Sequence, residues 1–168
     1  MSLMFLEMLE GIERSETGYS RIRRISLKPE AAMPEVEALR RNSSRIREET
    51  GGERIRIKVC VTGPYTLSTS FDRRDASLFT QLGDNLAEIV SKSIFRSEDA
   101  EVALVAFDEP VLGFLSDPLL DFGSDGREAL LKAWRGICHI AASKGVETIF
   151  HLHNTSDDLF WSVDNLKI

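Results

Sequence analysis

Apolar positions along the chain recur at two spacings, and the spacings alternate. Leu6, Met8, Leu9 and Ile12 suit a short amphipathic helix ending near Gly11, and residues 13–20 carry no period and read as loop. Residues 22–27 alternate as a strand that stops before Pro29. Val36, Leu39, Ser43 and Ile46 then return at helical spacing behind Pro34, a residue suited to a first helical turn, and Gly51-Gly52 ends that helix. Residues 54–62 form a β-branched run closed by the turn signal Thr62-Gly63-Pro64. Residues 72–97 hold the longest helical pattern, with Leu78, Leu82, Leu86, Ile89 and Val90 on one face. Residues 101–107 are almost wholly apolar, as a strand buried on both faces of a parallel sheet would be. Ser124 or Asp125 caps a helix that buries Leu130, Ala133, Trp134, Ile137 and Ala141. Gly145 stops it, residues 146–152 read as a strand, a helical turn is expected around residues 157–161, and residues 163–168 begin another strand.

This strand–helix rhythm, at roughly 40 to 45 residues per unit, leaves room for the crossovers of βαβ units. It predicts an α/β fold with a parallel sheet, either doubly wound or of the (β/α)8 TIM-barrel type. No G-x-G-x-x-G follows the first strand, which counts against the dinucleotide-binding version. A closed barrel has eight strands and typically about 250 residues. The 168 residues here offer about five candidate strands, so the expectation is an incomplete barrel, with residues 1–168 as one barrel-type domain and 1–20 as an N-terminal helix and loop. The edges of an open barrel invite pairing, and self-association through them is expected.

Composition narrows the function classes. There are 21 Lys+Arg against 27 Asp+Glu, for a net charge of −6, which argues against nucleic acid as the main partner. No apolar run approaches the roughly 20 residues of a membrane span, and no secretory signal pattern is present. Two cysteines cannot make a disulfide framework, so a reducing, cytoplasmic setting is expected. Cys60, inside a strand, and Cys138, beside an apolar helix face, read as core residues, and His139 as a surface or packing residue.

In parallel α/β sheets chemistry gathers where strands end at their carboxyl edge. Three such ends carry polar groups: Thr62-Gly63-Pro64-Tyr65-Thr66, Asp108-Glu109-Pro110 and His151-Leu152-His153-Asn154. Each has a plain reading as well as a chemical one. Gly63-Pro64 could be an ordinary loop entrance, and Asp108-Glu109 two solvated carboxylates ahead of a turn. A charged pair ending an apolar strand is also well placed to meet an amine or guanidinium. His151 and His153 alternate along a strand, so both rings would reach one face and could share a metal. They are half of the roughly four ligands a tetrahedral zinc takes.

Taken together, residues 61–67 (V-T-G-P-Y-T-L), 107–112 (F-D-E-P-V-L) and 151–153 (H-L-H) resemble the catalytic domain of cobalamin-independent methionine synthase, from about residue 21 onward. That family's core is a β/α barrel related to uroporphyrinogen decarboxylase and the corrinoid methyltransferases. The resemblance implies a zinc-dependent transfer of a methyl group to the thiol of homocysteine, from methyltetrahydrofolate or a methylcorrinoid. It implies that His151 is a zinc ligand and that His153 stands where the family has a cysteine. It likewise implies that Asp108 and Glu109 face the amine of the amino acid, and that Gly63, Pro64 and Thr66 line the pocket rim. Zinc would ionise a thiol whose pKa is otherwise near 8.5. The family's further ligands, a Glu and a second Cys, belong to later strands, so the chain reads as a partial or truncated member, an active methyltransferase or an inactive fragment of one. Two other readings stay open. One is a pocket-bearing binding or accessory module without catalysis. The other is a uroporphyrinogen decarboxylase relative, in which Arg21, Arg23, Arg24, Arg73 and Arg74 would gather to bind an acidic substrate.

Overall fold

The computed structural model describes residues 2–114, 116–154, 159–164 and 166–167. A short helix, α1 (Ser2–Glu7), leads into an antiparallel hairpin of β1 (Leu9–Arg14) and β2 (Tyr19–Leu27). The expected N-terminal helix therefore stops at Glu7, and the expected loop shrinks to the turn at residues 15–18. The apolar spacing of Leu9 and Ile12 serves a strand because β2 lies opposite to pair with it. Gly11, at φ 86 and opposite the Arg24 carbonyl, takes a conformation that no helix accommodates. Residues 22–27 are a strand, as the alternation predicts, but they belong to this separate hairpin and not to the parallel sheet.

The parallel sheet begins with β3 (Ile55–Thr62), after α2 (Pro34–Glu49), whose Pro34 sits at the helix start. A five-residue helix, α3 (Pro64–Ser68), and the long α4 (Ala76–Ser93) lead to β4 (Ala100–Asp108). The helical pattern of residues 72–97 is trimmed at both ends. Asp75 is the N-cap, its carboxylate accepting the Leu78 amide, and extended backbone at Ile94 ends the helix. Next come a 3-10 turn at Pro118–Leu120 and α5 (Asp125–Ser143), capped by Ser124, whose hydroxyl accepts the Arg127 amide. Then follow β5 (Glu147–His151), a 3-10 turn at Leu159–Ser162, and β6 (Leu166–Lys167). The expected helical turn thus begins at Leu159 among the described residues; Asp157 and Asp158 lie outside them, as does Ile168.

The strand order is β3-β4-β5-β6, parallel throughout, so each crossover steps to the next neighbour. This is the winding direction of a barrel, yet the sheet is open. Among the described residues it has four strands, not five, because the first candidate strand went to the hairpin. The molecule is mixed α/β, and no closed barrel is formed by the described residues. No described helix is long and apolar enough to cross a membrane.

Register fixes what each face of the sheet sees. Val59, Val105 and Thr148 share one face, as do Val61, Phe107 and Phe150. All are buried, and Phe150 meets Trp134 of α5 edge-on at 4.9 Å. This is the helix-covered face and the centre of the core. The opposite face carries the row Thr62, Asp108 and His151. Behind the sheet α4 and α5 approach so closely that a Cβ on Gly83 would lie 2.4 Å from the Ala133 Cβ. Gly83→Val should therefore overpack this contact, costing about 1–3 kcal/mol and lowering the melting temperature by roughly 2–4 °C per kcal/mol. A circular dichroism melt checks it.

Candidate functional site

Parallel register carries three expected site segments to one edge. Thr62 pairs with Asp108, and Asp108 with His151, so the carboxyl ends of β3, β4 and β5 form a continuous row. Backbone bonds extend the ladder past the strands, from the Gly63 amide to the Asp108 carbonyl (2.9 Å) and from the Glu109 amide to the His151 carbonyl (3.1 Å). Because side chains alternate, Asp108 and Glu109 turn to opposite sides. The expectation of two carboxylates facing one pocket meets a structure that separates them.

Glu109 points to the helix side and is fully buried. Its Oε1 accepts hydrogen bonds from the Tyr65 amide (3.0 Å) and the Trp134 indole Nε1–H (2.9 Å). Its Oε2 accepts from the Thr66 amide and the Thr66 hydroxyl, both at 2.7 Å. Burial pushes the carboxyl pKa up, against these four donors, which favour the charged form. The Thr62-Gly63-Pro64 turn exists to let this contact form: a Cβ on Gly63 would fall 2.1 Å from Glu109 Oε1. Glu109 has no solvent contact and Asp108 is paired and only partly exposed, so the plain reading of two solvated carboxylates fails for Glu109. Gly63 and Thr66 are spent on shaping the rim around Glu109.

Asp108 faces the other way. Its Oδ1 lies 3.0 Å from His151 Nδ1, with the Asp108 side chain 13% exposed and that of His151 60% exposed. A carboxylate can only accept here, so Nδ1 carries the hydrogen, and in the neutral ring Nε2 keeps its lone pair toward solvent. The His153 ring stands 5.2 Å from that of His151, nearly perpendicular to it. β5 ends at His151, so His153 reaches this position from the following loop and not by strand alternation. Asn154 ties that loop to the one after β4 by donating to the Gly113 carbonyl at 2.7 Å.

Two residues singled out in the sequence make rim contacts that the sequence does not signal. Arg74, after α3, bonds Ser68 Oγ (3.0 Å), pairs with Asp117 (2.7 Å) and stacks over Tyr65 at 4.9 Å. Burial, then the neighbouring Asp117, pushes the Tyr65 phenol up. Trp134 was legible as core, but its indole bond to Glu109 was not. The arginines expected to gather do not share a pocket. Arg21, Arg23 and Arg24 line an open groove of about 560 Å³ between β2 and α4, where Arg21 pairs with Asp75 and Arg23 with Glu10. Arg74 is held at the rim and Arg73 is exposed.

The donor set does not complete a zinc site. His151 and His153 are adjacent imidazoles, yet the described residues contain no group of three or more His, Cys, Asp and Glu able to hold a metal ion. Cys138 is buried, which pushes its thiol pKa up, Cys60 is half-buried, and His139 is exposed on α5.

No family model and no curated protein matches the chain. Among solved structures, it is similar to a B12-independent methionine synthase from Shewanella sp. W3-18-1, determined in complex with selenomethionine. The match has a TM-score of 0.55 and 18% identity, and covers 94% of this chain and 45% of that one. At this identity the likeness is one of fold. The mixed α/β framework resembles part of that methionine synthase, and the chain spans less than half of that protein's length.

Glu109 supplies the prediction here. Glu109→Gln places an NH2 group against two of the four donors, so the isosteric change should cost nearly as much as Glu109→Ala, about 2–4 kcal/mol. Urea unfolding of the two variants beside the unmodified chain measures both costs.

Proposed function

We propose that the carboxyl edge of the sheet binds a thiol-bearing amino acid of the homocysteine kind, in a site of the methyltransferase type. The observation that supports this most is the in-register row Thr62–Asp108–His151, with Asp108 and His151 in contact at 3.0 Å, in a fold similar to part of a methionine synthase.

Each residue has a distinct task in this reading. The second oxygen of Asp108 takes the ammonium group of the amino acid, as a charge-assisted hydrogen bond. His151, held by Asp108 through Nδ1, accepts the thiol proton at Nε2. The resulting thiolate forms a bond to the methyl carbon of a methylated folate or corrinoid, and the bond from that carbon to the donor breaks. His153 lies beside the sulfur position. Glu109 is a positioning residue: by holding Tyr65, Thr66 and Trp134 it fixes the rim on which Asp108 stands. His151 and His153 are the residues that would take a zinc ion; bound at His151 Nε2, it would occupy the atom that otherwise accepts the thiol proton and would itself acidify the thiol. The described residues give that ion no third ligand, so no step is routed through it.

Calorimetric titration with homocysteine tests the reading. Saturable binding is expected for the unmodified chain. Asp108→Asn should weaken it by about 10- to 100-fold, the loss of one charge-assisted bond, and His151→Ala should weaken thiol binding while sparing the oxygen analogue homoserine. Absence of binding by the unmodified chain, or equal affinity in all three proteins, would contradict it.

A further inference from the structure

The groove of about 560 Å³ between β2 and α4 shares no residue with the carboxyl-edge rim. It sits at an irregularity in the hairpin. Glu10 pairs with Ser26 but Ile12 pairs with Arg21, so Gly11 stands against the four residues 22–25. A bulge of this kind bends the strand that carries it.

Side chains of α4 fasten the bulged segment at both ends. Gln81 Oε1 accepts the Ile25 amide at 2.8 Å, and Asn85 Nδ2 donates to the Ile25 carbonyl at 3.2 Å. At the other end Arg21 pairs with Asp75 at 2.6 Å and donates to Ser77 Oγ at 2.9 Å. Between these anchors Ile22, Arg23 and Arg24 border the open groove, with Ser77 and Asp84 of α4 across from them.

Donors outnumber acceptors in this groove. Ser77 Oγ accepts from Arg21 and, at 2.8 Å, from Gln81 Nε2, which fills both of its lone pairs. Its hydroxyl hydrogen is left to donate, and it has no acceptor among the described residues. Arg24 is exposed and has no carboxylate partner among them either. Arg23 meets Glu10 at 2.9 Å, but with 65% of its side chain exposed that pair holds it weakly. Among the described lining residues Asp84, exposed on α4, is the one acid. Ile22, between these arginines, is 61% exposed.

We infer that this groove binds a small phosphate monoester carrying an apolar group. Its volume is that of a small-molecule site. Arg23 and Arg24 take phosphate oxygens with their planar forks, and the Ser77 hydroxyl donates to a further oxygen. The apolar group lies on Ile22. A phosphate ester brings three acceptor oxygens and nearly two charges to these donors, where a carboxylate brings two oxygens and one charge. The ligand spans from β2 to α4 and so ties the hairpin to the helix layer. No residue of the proposed amino-acid site takes part, so the two readings stand or fall separately.

The test is calorimetric titration of the full chain with phenyl phosphate at low ionic strength, beside inorganic phosphate and phenylacetate. Saturable one-to-one binding is expected, tighter than that of either comparison, with a melting temperature that rises with ligand concentration. Arg24→Ala should weaken binding by about tenfold or more, the loss of a charge-assisted contact. Asp84→Asn removes the acid facing the ligand and should tighten binding, a gain that mere disturbance of the fold would not give. Both side chains are exposed, so circular dichroism melts of the unliganded variants should match that of the unmodified chain. Absence of saturable binding, phenyl phosphate no tighter than phenylacetate, or unchanged affinity in both variants would each overturn the assignment.

Discussion

A single buried carboxylate organises the rim of this molecule. Glu109 stands at the end of β4 with no solvent contact, and both of its oxygens are filled by donors from elsewhere in the chain. Desolvating a carboxylate is costly, and removing its partners is costlier still. The loop after β3 and the indole of α5 are therefore held to β4 by a contact that cannot be half made. Its reach is over forty residues in one direction, to Tyr65 and Thr66, and twenty-five in the other, to Trp134. The tight Gly63 turn and the placing of Trp134 under the sheet both follow from it.

Strand alternation then separates two neighbouring acids into two tasks. Glu109 turns to the helices and fixes the scaffold. Asp108, one residue earlier, turns to the open face and meets His151. In the proposed site one group is held rigidly and its neighbour is turned toward the ligand, and the D-E pair at the end of β4 has that division. His151 and His153 are exposed beside Asp108, and Asn154 pins the loop that carries them to the loop after β4. This arrangement makes a single rim from segments far apart in the chain.

The sequence disclosed most of the architecture and part of the site. The parallel strands were legible because 101–107 is almost wholly apolar and 54–62 alternates β-branched with polar residues, and the long helices because Leu78, Leu82, Leu86 and Ile89 keep helical period. The hairpin was not, because Leu9 and Ile12 fit a helix as well as a strand until β2 is placed opposite them. Helix α3 escaped because five residues cannot display a period. At the rim, the identity of the residues was readable but their direction was not. Nothing local distinguishes Asp108 from Glu109; only the register with β3 and β5 and the position of Trp134 does. The arginines illustrate the converse: their clustering in sequence did not survive, since Arg21 and Arg74 found separate carboxylates.

Hydrogen exchange followed by NMR tests the central role of Glu109 most directly. If its carboxylate holds the rim, the Tyr65 and Thr66 amides and the Trp134 indole N–H should exchange only with global unfolding, as slowly as the central β4 amides of Val105 and Phe107. Exchange of these three protons through a local opening, much faster than that of β4, would show that the rim moves independently of Glu109 and would contradict the account.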